Sequence, residues 1–372
     1  MKKLVLTLTT IASLLSLVGC SSDITNLKVE SKGHFTDEQL NYLKSEDYTN
    51  TSPYNGNMKM SKPNPVRFTW NSGKGEYHFT FVNDYDNKEI SYFTDSNPFD
   101  FYNPIIGAGY TVKIKYKDYE EQEIVFRENV QVSGPRNIYI EGVENMRDIG
   151  GWGKFNAAGE YVTYMKQGLL YRSGRFNEDK AETVIPSITK DGLYDINLLL
   201  GIKTEIDLRK TSTNEVGGLT DKSVIHDNVN YIQLPMAYNG NNILTFKGKI
   251  SGDDYEYDNP AMIKRFFEIL ADKDNYPIDF HCSIGKDRTG CLAYLVEGLM
   301  GFEKEHMYRD YMFTNFADAG LCKITDITDR YGKTIDEYND GDTLQKKVFN
   351  YLNKEVGVST DDLNKVITNL KA

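Results

Sequence analysis

FHCSIGKDRTG, residues Phe280 to Gly290, is the stretch around which this 372-residue chain is read. It holds one of only four cysteines, places an arginine six positions after it, and has glycines at 285 and 290. YPIDFHC, Tyr276 to Cys282, is a short apolar run that reads as a buried strand. TGCLAYLVEGLMG, which follows, has helical spacing. The loop SIGKDR therefore joins a strand's carboxyl end to a helix N-terminus, where free N–H groups and a positive dipole suit an anion. That position also lowers a thiol's pKa and holds the thiolate at neutral pH. Arg288 offers a planar, two-pronged donor that fits two phosphate oxygens. Gly285 lets the backbone turn so that successive N–H groups point inward. Cys282 is thereby placed as a nucleophile beneath a cradle for a tetrahedral dianion.

Working outward, strands and helices alternate from about residue 138 to the end. TEIDLR (Thr204 to Arg209) and NYIQLPM (Asn230 to Met236) are further buried strands; AMIKRFFEILAD and HMYRDYMFTNFADA have helical spacing. This alternation predicts an α/β domain with a central, parallel-rich sheet flanked by helices over residues 138–372. Residues 63–137 instead alternate with period two, in VRFTW, EYHFTFVND and YTVKIKYKD, with turn-rich breaks between. They predict a small all-β sandwich. Trp70 on an early strand and Tyr110 after IIGAG give it a loose resemblance to fibronectin type III and immunoglobulin-like domains. Residues 20–62 are polar and read as a tether, with a short helix in FTDEQLNYLKSED capped by Thr36.

Lys2 and Lys3 followed by an apolar run to Val18 read as a secretion signal, too short for a membrane span. Leu17-Val-Gly-Cys20 resembles a bacterial lipobox. That resemblance implies a signal peptide over 1–19, lipidation of Cys20, and an exported protein held on the membrane by its lipid alone. Net charge is −11, and removing the two signal lysines takes it to −13. A diffuse acidic surface argues against nucleic acid and against electrostatic adhesion to anionic lipid. Any phosphate site must be locally positive. Cys282, Cys291 and Cys322 form no disulfide framework. Cys291, in an apolar helix, reads as a buried free thiol rather than half of a lone disulfide with Cys322. There is no CxxC, and the five histidines do not pair at i, i+4, so no metal spacing is present.

HCSIGKDRTG is similar to the signature loop of the cysteine-dependent phosphatases, Cys-x5-Arg-Ser/Thr. It more closely resembles the bacterial tyrosine-protein-phosphatase family, whose loop reads HCxxGKDRTG. NMRDIGG (Asn145 to Gly151), LLYRSGR (Leu169 to Arg175), EIDLRKTSTNE (Glu205 to Glu215) and YRDYMFTN resemble further segments of that family, in order. The resemblance covers about 140–372. It implies a phosphocysteine intermediate and no cofactor. Amides from Ser283, Ile284, Gly285, Lys286, Asp287 and Arg288 would hold the phosphoryl oxygens, and Thr289 would donate to the sulfur. His281 would fix the loop. The family points to Asp287 as general acid. Asp207, at another strand end, is a second candidate unless it is ion-paired with Arg209 or Arg147. Asp253, Asp254 and Asp258 in GKISGDDYEYDNP would serve only if that stretch were a lid, and there is no Trp-Pro-Asp. Lys286 would attract multiply phosphorylated ligands. The expected activity is phosphomonoester hydrolysis of phosphotyrosine, extending to phosphoserine or phosphoinositides. An inositol-phosphate hydrolase of the phytase kind remains open, as does a surface lipoprotein whose sandwich binds a protein partner beside a vestigial phosphatase domain.

Overall fold

The structure, a computed structural model, describes residues 24–54, 62–71, 75–119, 121–177, 187–210, 221–238, 242–252, 254–317 and 322–372. The signal run, Cys20, Asp253 and residues 55–61 of the expected tether lie outside the described residues. The chain divides into two compact, interleaved units. One comprises Met1–Lys32 and Pro65–Asn129, the other Gly33–Asn64 and Val130–Ala372.

The first unit is the expected all-β part, and it begins earlier than the sequence suggested. Strand β1 (Thr25–Ser31) pairs with β2 (Val66–Asn71), which pairs with β5 (Phe99–Phe101). A second antiparallel sheet runs β4-β3-β6-β7, from Glu89–Thr94, Tyr77–Asn83, Gly109–Tyr116 and Gln122–Arg127. Period-two alternation buries Tyr77, Phe79 and Phe81 on one face of β3. Phe68 and Trp70 of β2 meet that face, with Phe68 5.7 Å from Phe81 and Trp70 5.0 Å from Tyr77 between ring centroids. Edge-to-face and stacked aromatic pairs, such as Phe81 on Phe101 at 4.2 Å, fill the unit's core.

The second unit is built on a six-stranded sheet in the order β14-β13-β17-β12-β9-β8. These are Asn230–Gln233, Thr204–Asp207, Ile278–His281, Leu170–Ser173, Arg147–Asp148 and Arg136–Asn137. The first four run parallel, β9 runs antiparallel to β12, and β8 antiparallel to β9. Two hairpins, β10–β11 (Gly153–Phe155, Tyr161–Thr163) and β15–β16 (Lys247–Lys249, Glu256–Asp258), lie outside the sheet. In register, Ser173 and Asp207 both sit opposite His281, so three parallel strands end level, one residue before Cys282.

One face of the sheet, with Ile206, Ile278 and Phe280, belongs to the larger core. That core holds residues of α3 (Asn259–Ala271), α4 (Asp287–Leu299), α5 (Lys304–Phe313), α8 (Leu344–Tyr351) and α9 (Thr360–Leu370). Helix α4 is buried from Arg288 to Leu299, all round, as a central helix must be. The other face carries Tyr171 into a smaller core with Phe176, and with Ile196 and Leu200, which follow α2 (Lys190–Asp195). Short helices α6 (Thr325–Thr328) and α7 (Tyr331–Asp336) link α5 to α8.

The tether expected over 20–62 is corrected. Beyond β1, residues from Gly33 fold into the second unit. Helix α1 (Asp37–Lys44) forms behind a Thr36 capping box, as its sequence predicts. Phe35, just before the cap, and Tyr42 and Leu43 of the helix are buried in the larger core. Arg309 fastens the helix by donating to the carbonyl of Tyr42 at 2.8 Å, with the rings of Tyr42 and Tyr48 each 5.4 Å from its guanidinium. This polar stretch reads as linker by composition, yet Phe35, Tyr42 and Leu43 are buried. Phe35→Ala should therefore lower unfolding free energy by about 3–5 kcal/mol, measured by urea unfolding. A tether residue would change it by less than about 0.5 kcal/mol.

Candidate active site

The loop after β17 is held from outside by its carbonyl oxygens. The Cys282 carbonyl lies 3.3 Å from His281 Nδ1. Arg175 Nη1 donates to the Ser283 carbonyl at 2.8 Å, Asn145 Nδ2 to that of Ile284 at 3.0 Å, and Arg172 Nη2 to that of Gly285 at 2.8 Å. In a planar trans peptide, C=O and the following N–H point to opposite sides. Turning four consecutive carbonyls outward therefore turns the N–H groups of Ser283, Ile284, Gly285 and Lys286 the other way. Asp287 and Arg288 open α4, where the first N–H groups have no partner in the helix. Six donors line one side of the loop. Gly285 is needed for this: its φ is +70°, and a Cβ there would lie 2.6 Å from the Ser173 carbonyl oxygen.

The four outer donors come from segments far apart in the chain. Asn145 precedes β9, Arg172 is in β12, Arg175 follows it, and His281 ends β17. Asp310 of α5, fully buried, links Arg172 to Arg147 of β9. It accepts from Arg147 Nε at 2.9 Å, from Arg172 Nη1 at 2.5 Å and from Trp152 Nε1 at 3.1 Å. Arg147 in turn donates to the Asn145 side chain. A closed ring runs from the Ile284 carbonyl through Asn145, Arg147, Asp310 and Arg172 back to Gly285. Burial would push Asp310 up, but the two guanidinium groups hold it well below the usual carboxylate range. Glu297 of α4, also buried, is pushed well up by desolvation and by Asp310. Two arginines thus share the Asp310 carboxylate under the loop.

At the loop's root, Cys282 is buried. Burial raises its thiol pKa, but the Arg288 charge and the hydroxyl and amide of Thr289 outweigh it and bring the thiol below its ordinary value. Arg288 donates to the Leu208 carbonyl at 3.2 Å, and its guanidinium lies 5.0 Å from the ring of Tyr238, a largely exposed side chain. The backbone beneath Tyr238 is fixed, because buried Asn259 both donates to and accepts from Ala237.

The structure separates the acid candidates. Burial lifts Asp287 above the usual carboxylate range, and nearby Asp326 adds to this against the pull of Lys286, Arg288 and Arg330. Asp207 goes the other way, and its assignment as a catalytic acid is corrected. It is fully buried, binds Arg209 through both oxygens, and accepts from Tyr231 at 2.9 Å. Burial raises it, but His281 and Arg209 carry it down to about 2, so it holds no proton at neutral pH. Asp258 caps α3 by accepting from the Ala261 N–H and pairs with Lys247. Asp254 is exposed, outside any strand or helix.

His281 is buried between Glu205 Oε1 at 2.9 Å and Asp207 Oδ1 at 3.9 Å. Burial lowers its pKa, but these two carboxylates raise it to about 9, so it sits as an imidazolium. Glu205, Asp207 and His281 bring donor atoms within 4.8 Å of one another. Those atoms are already engaged by each other and by Arg209, Ser223 and Tyr231. Cys291 and Cys322 are buried free thiols, as read for Cys291, with Cys322 pushed up to about 12 by burial.

Asn145, Arg172, Arg175 and Asp310 stand in the sequence only inside segments matched by resemblance, and Arg147 was named only as a possible partner of Asp207. For Arg172 the signal was a charge within a short buried strand, which must be paired once buried.

Residues 138–372, more than half of the chain, match the sequence model of the tyrosine phosphatase family. No curated protein matches the chain. Among solved structures, the core catalytic domain of the PP-IP phosphatase Siw14 from S. cerevisiae, in complex with citrate, aligns at 15% identity. It covers 52% of this chain and 88% of its own, with a TM-score of 0.29. A second Siw14 catalytic core aligns at 14% identity over 52% and 87%, with a TM-score of 0.30.

Alkylation of Cys282 by iodoacetamide, followed against pH, should reach half its maximum rate below the roughly 8.5 of a free cysteine. Arg288→Ala should move that midpoint up. Asp310→Asn leaves two buried guanidinium groups without their anion and should destabilise the protein by about 3–5 kcal/mol, measured by chemical unfolding.

Proposed function

The chain belongs to the tyrosine phosphatase family and is a phosphatase, and we propose that it cleaves phosphomonoesters through a covalent phosphocysteine at Cys282. The observation that carries this reading is the row of outward carbonyls. It leaves six N–H groups and the Arg288 guanidinium to surround a PO₃ group seated above a thiol that ionises early. In the first step the thiolate attacks phosphorus in line, the S–P bond forms, and the P–O bond to the leaving group breaks. Asp287, protonated, gives its proton to the departing oxygen. In the second step the Asp287 carboxylate takes a proton from water as that water attacks phosphorus. The sulfur leaves as thiolate, with Thr289 donating to it, and inorganic phosphate is released. Charge grows on the equatorial oxygens in both steps, and donors already fixed in place stabilise it without reorganisation.

Phosphotyrosine is the substrate favoured. The exposed ring of Tyr238, on anchored backbone 5.0 Å from Arg288, offers a flat apolar surface beside the phosphate seat. A phenyl leaving group gains there in a way that a small alkyl ester does not. Export with Cys20 lipidated, and a protein partner for the β-sandwich, remain part of the proposal and rest on the sequence signals alone.

The test uses the chain from Cys20 to Ala372 and follows phosphate release from a phosphotyrosine peptide, a phosphoinositide and phytate. Release should be greatest from the peptide, absent in Cys282→Ser, and accompanied by an acid-stable phosphoryl-enzyme burst. Asp287→Asn should lower kcat/KM about 100-fold or more for leaving groups that need protonation. Equal release by Cys282→Ser would refute the mechanism, and preference for phytate would refute the substrate.

A further inference from the structure

Asp287 is an unusual place for an acid that must hold a proton. It occupies the first turn of α4, where the helix dipole favours the carboxylate. It also has a cation on each side, Lys286 and Arg288. Burial opposes these, but burial alone leaves Lys286 in reach of a contact that would ionise the acid. Asp326 on α6 intervenes. Its Oδ2 lies 3.6 Å from Lys286 Nζ, and its Oδ1 lies 3.5 Å from Arg330 Nη2. The carboxylate is itself fixed, accepting from the Lys323 N–H at 3.0 Å and the Tyr311 hydroxyl at 3.3 Å.

We propose that Asp326 is a positioning residue that draws Lys286 and Arg330 to itself and so keeps Asp287 able to carry the proton for the leaving group. The proposal rests on the reading of Asp287 as general acid. Around Asp287 the charged and titratable groups are Lys286, Arg288 and the Cys282 thiolate from the loop, Tyr311 from α5, and Cys322, Asp326, Arg330 and Tyr331 from the segment after it. Burial holds the hydroxyls of Tyr311 and Tyr331 and the Cys322 thiol neutral across the working pH range. Of these neighbours, only the thiolate and Asp326 are anionic. Without Asp326, three cations face the acid against one anion. Its pKa falls, and the protonated fraction is lost at lower pH. The device is a second carboxylate that engages the cations which would otherwise face Asp287.

The experiment measures kcat/KM against pH, over a series of aryl phosphates of graded leaving-group basicity. It compares the wild type with Asp326→Asn, Asp326→Glu and Asp287→Asn. Asp326→Asn keeps an acceptor for Tyr311 and Lys323, so the fold is preserved. It should move the basic limb to lower pH and steepen the dependence on leaving-group basicity, with a several-fold loss at neutral pH for the most basic phenols. Asp326→Glu should restore both. A basic limb left in place, or a loss equal across the series, would overturn the role of Asp326. Should Asp287→Asn show no added leaving-group dependence, the general-acid premise fails, and the proposal with it.

Discussion

Four consecutive carbonyl oxygens, from Cys282 to Gly285, are turned outward and held there by His281, Arg175, Asn145 and Arg172. The rest of the second unit exists, in effect, to keep those four donors in place. Hydrogen bonds to charged donors are worth about 1.5–3 kcal/mol each, so three cationic contacts on one six-residue turn outweigh the ordinary freedom of a loop. The return is geometric. Because the peptide unit is planar, every carbonyl fixed outside fixes an N–H inside, and an anion meets donors that need not move.

That arrangement requires buried cations, and buried cations require anions. Arg147 and Arg172 share Asp310, and His281 sits between Glu205 and Asp207, which in turn is locked to Arg209. Around Asp310 two cations share one carboxylate. An acidic protein with net charge −11 thus holds buried guanidinium groups under a single loop. Desolvation makes each such pair expensive to break. The same low dielectric strengthens the attraction of the Arg288 charge for a thiolate and a phosphate dianion.

The loop around Cys282 was legible because its parts are contiguous. Cys282, Gly285, Arg288 and Thr289 fall within eight residues, and the flanking strand and helix follow from local apolar runs. The donors outside the loop were not legible as such. Asn145, Arg172 and Asp310 are brought together only by sheet order, which pairs β12 with both β9 and β17, and no spacing rule reports that. Asp207 misled for the opposite reason. A carboxylate at a strand end looks poised, and its Arg209 partner, two residues on, becomes a closed ion pair only once both are buried. Helix α1 was legible by its Thr36 cap while its destination was not, since Phe35, Tyr42 and Leu43 do not say which core they join.

The account is tested most directly by a crystal structure of the protein with tungstate. It predicts the anion above Cys282 Sγ, its oxygens accepting from the N–H groups of Ser283 to Arg288 and from the Arg288 guanidinium, with the carbonyls of Ser283, Ile284 and Gly285 still bound by Arg175, Asn145 and Arg172. Tungstate bound elsewhere, or a loop whose carbonyls face the anion, would contradict it.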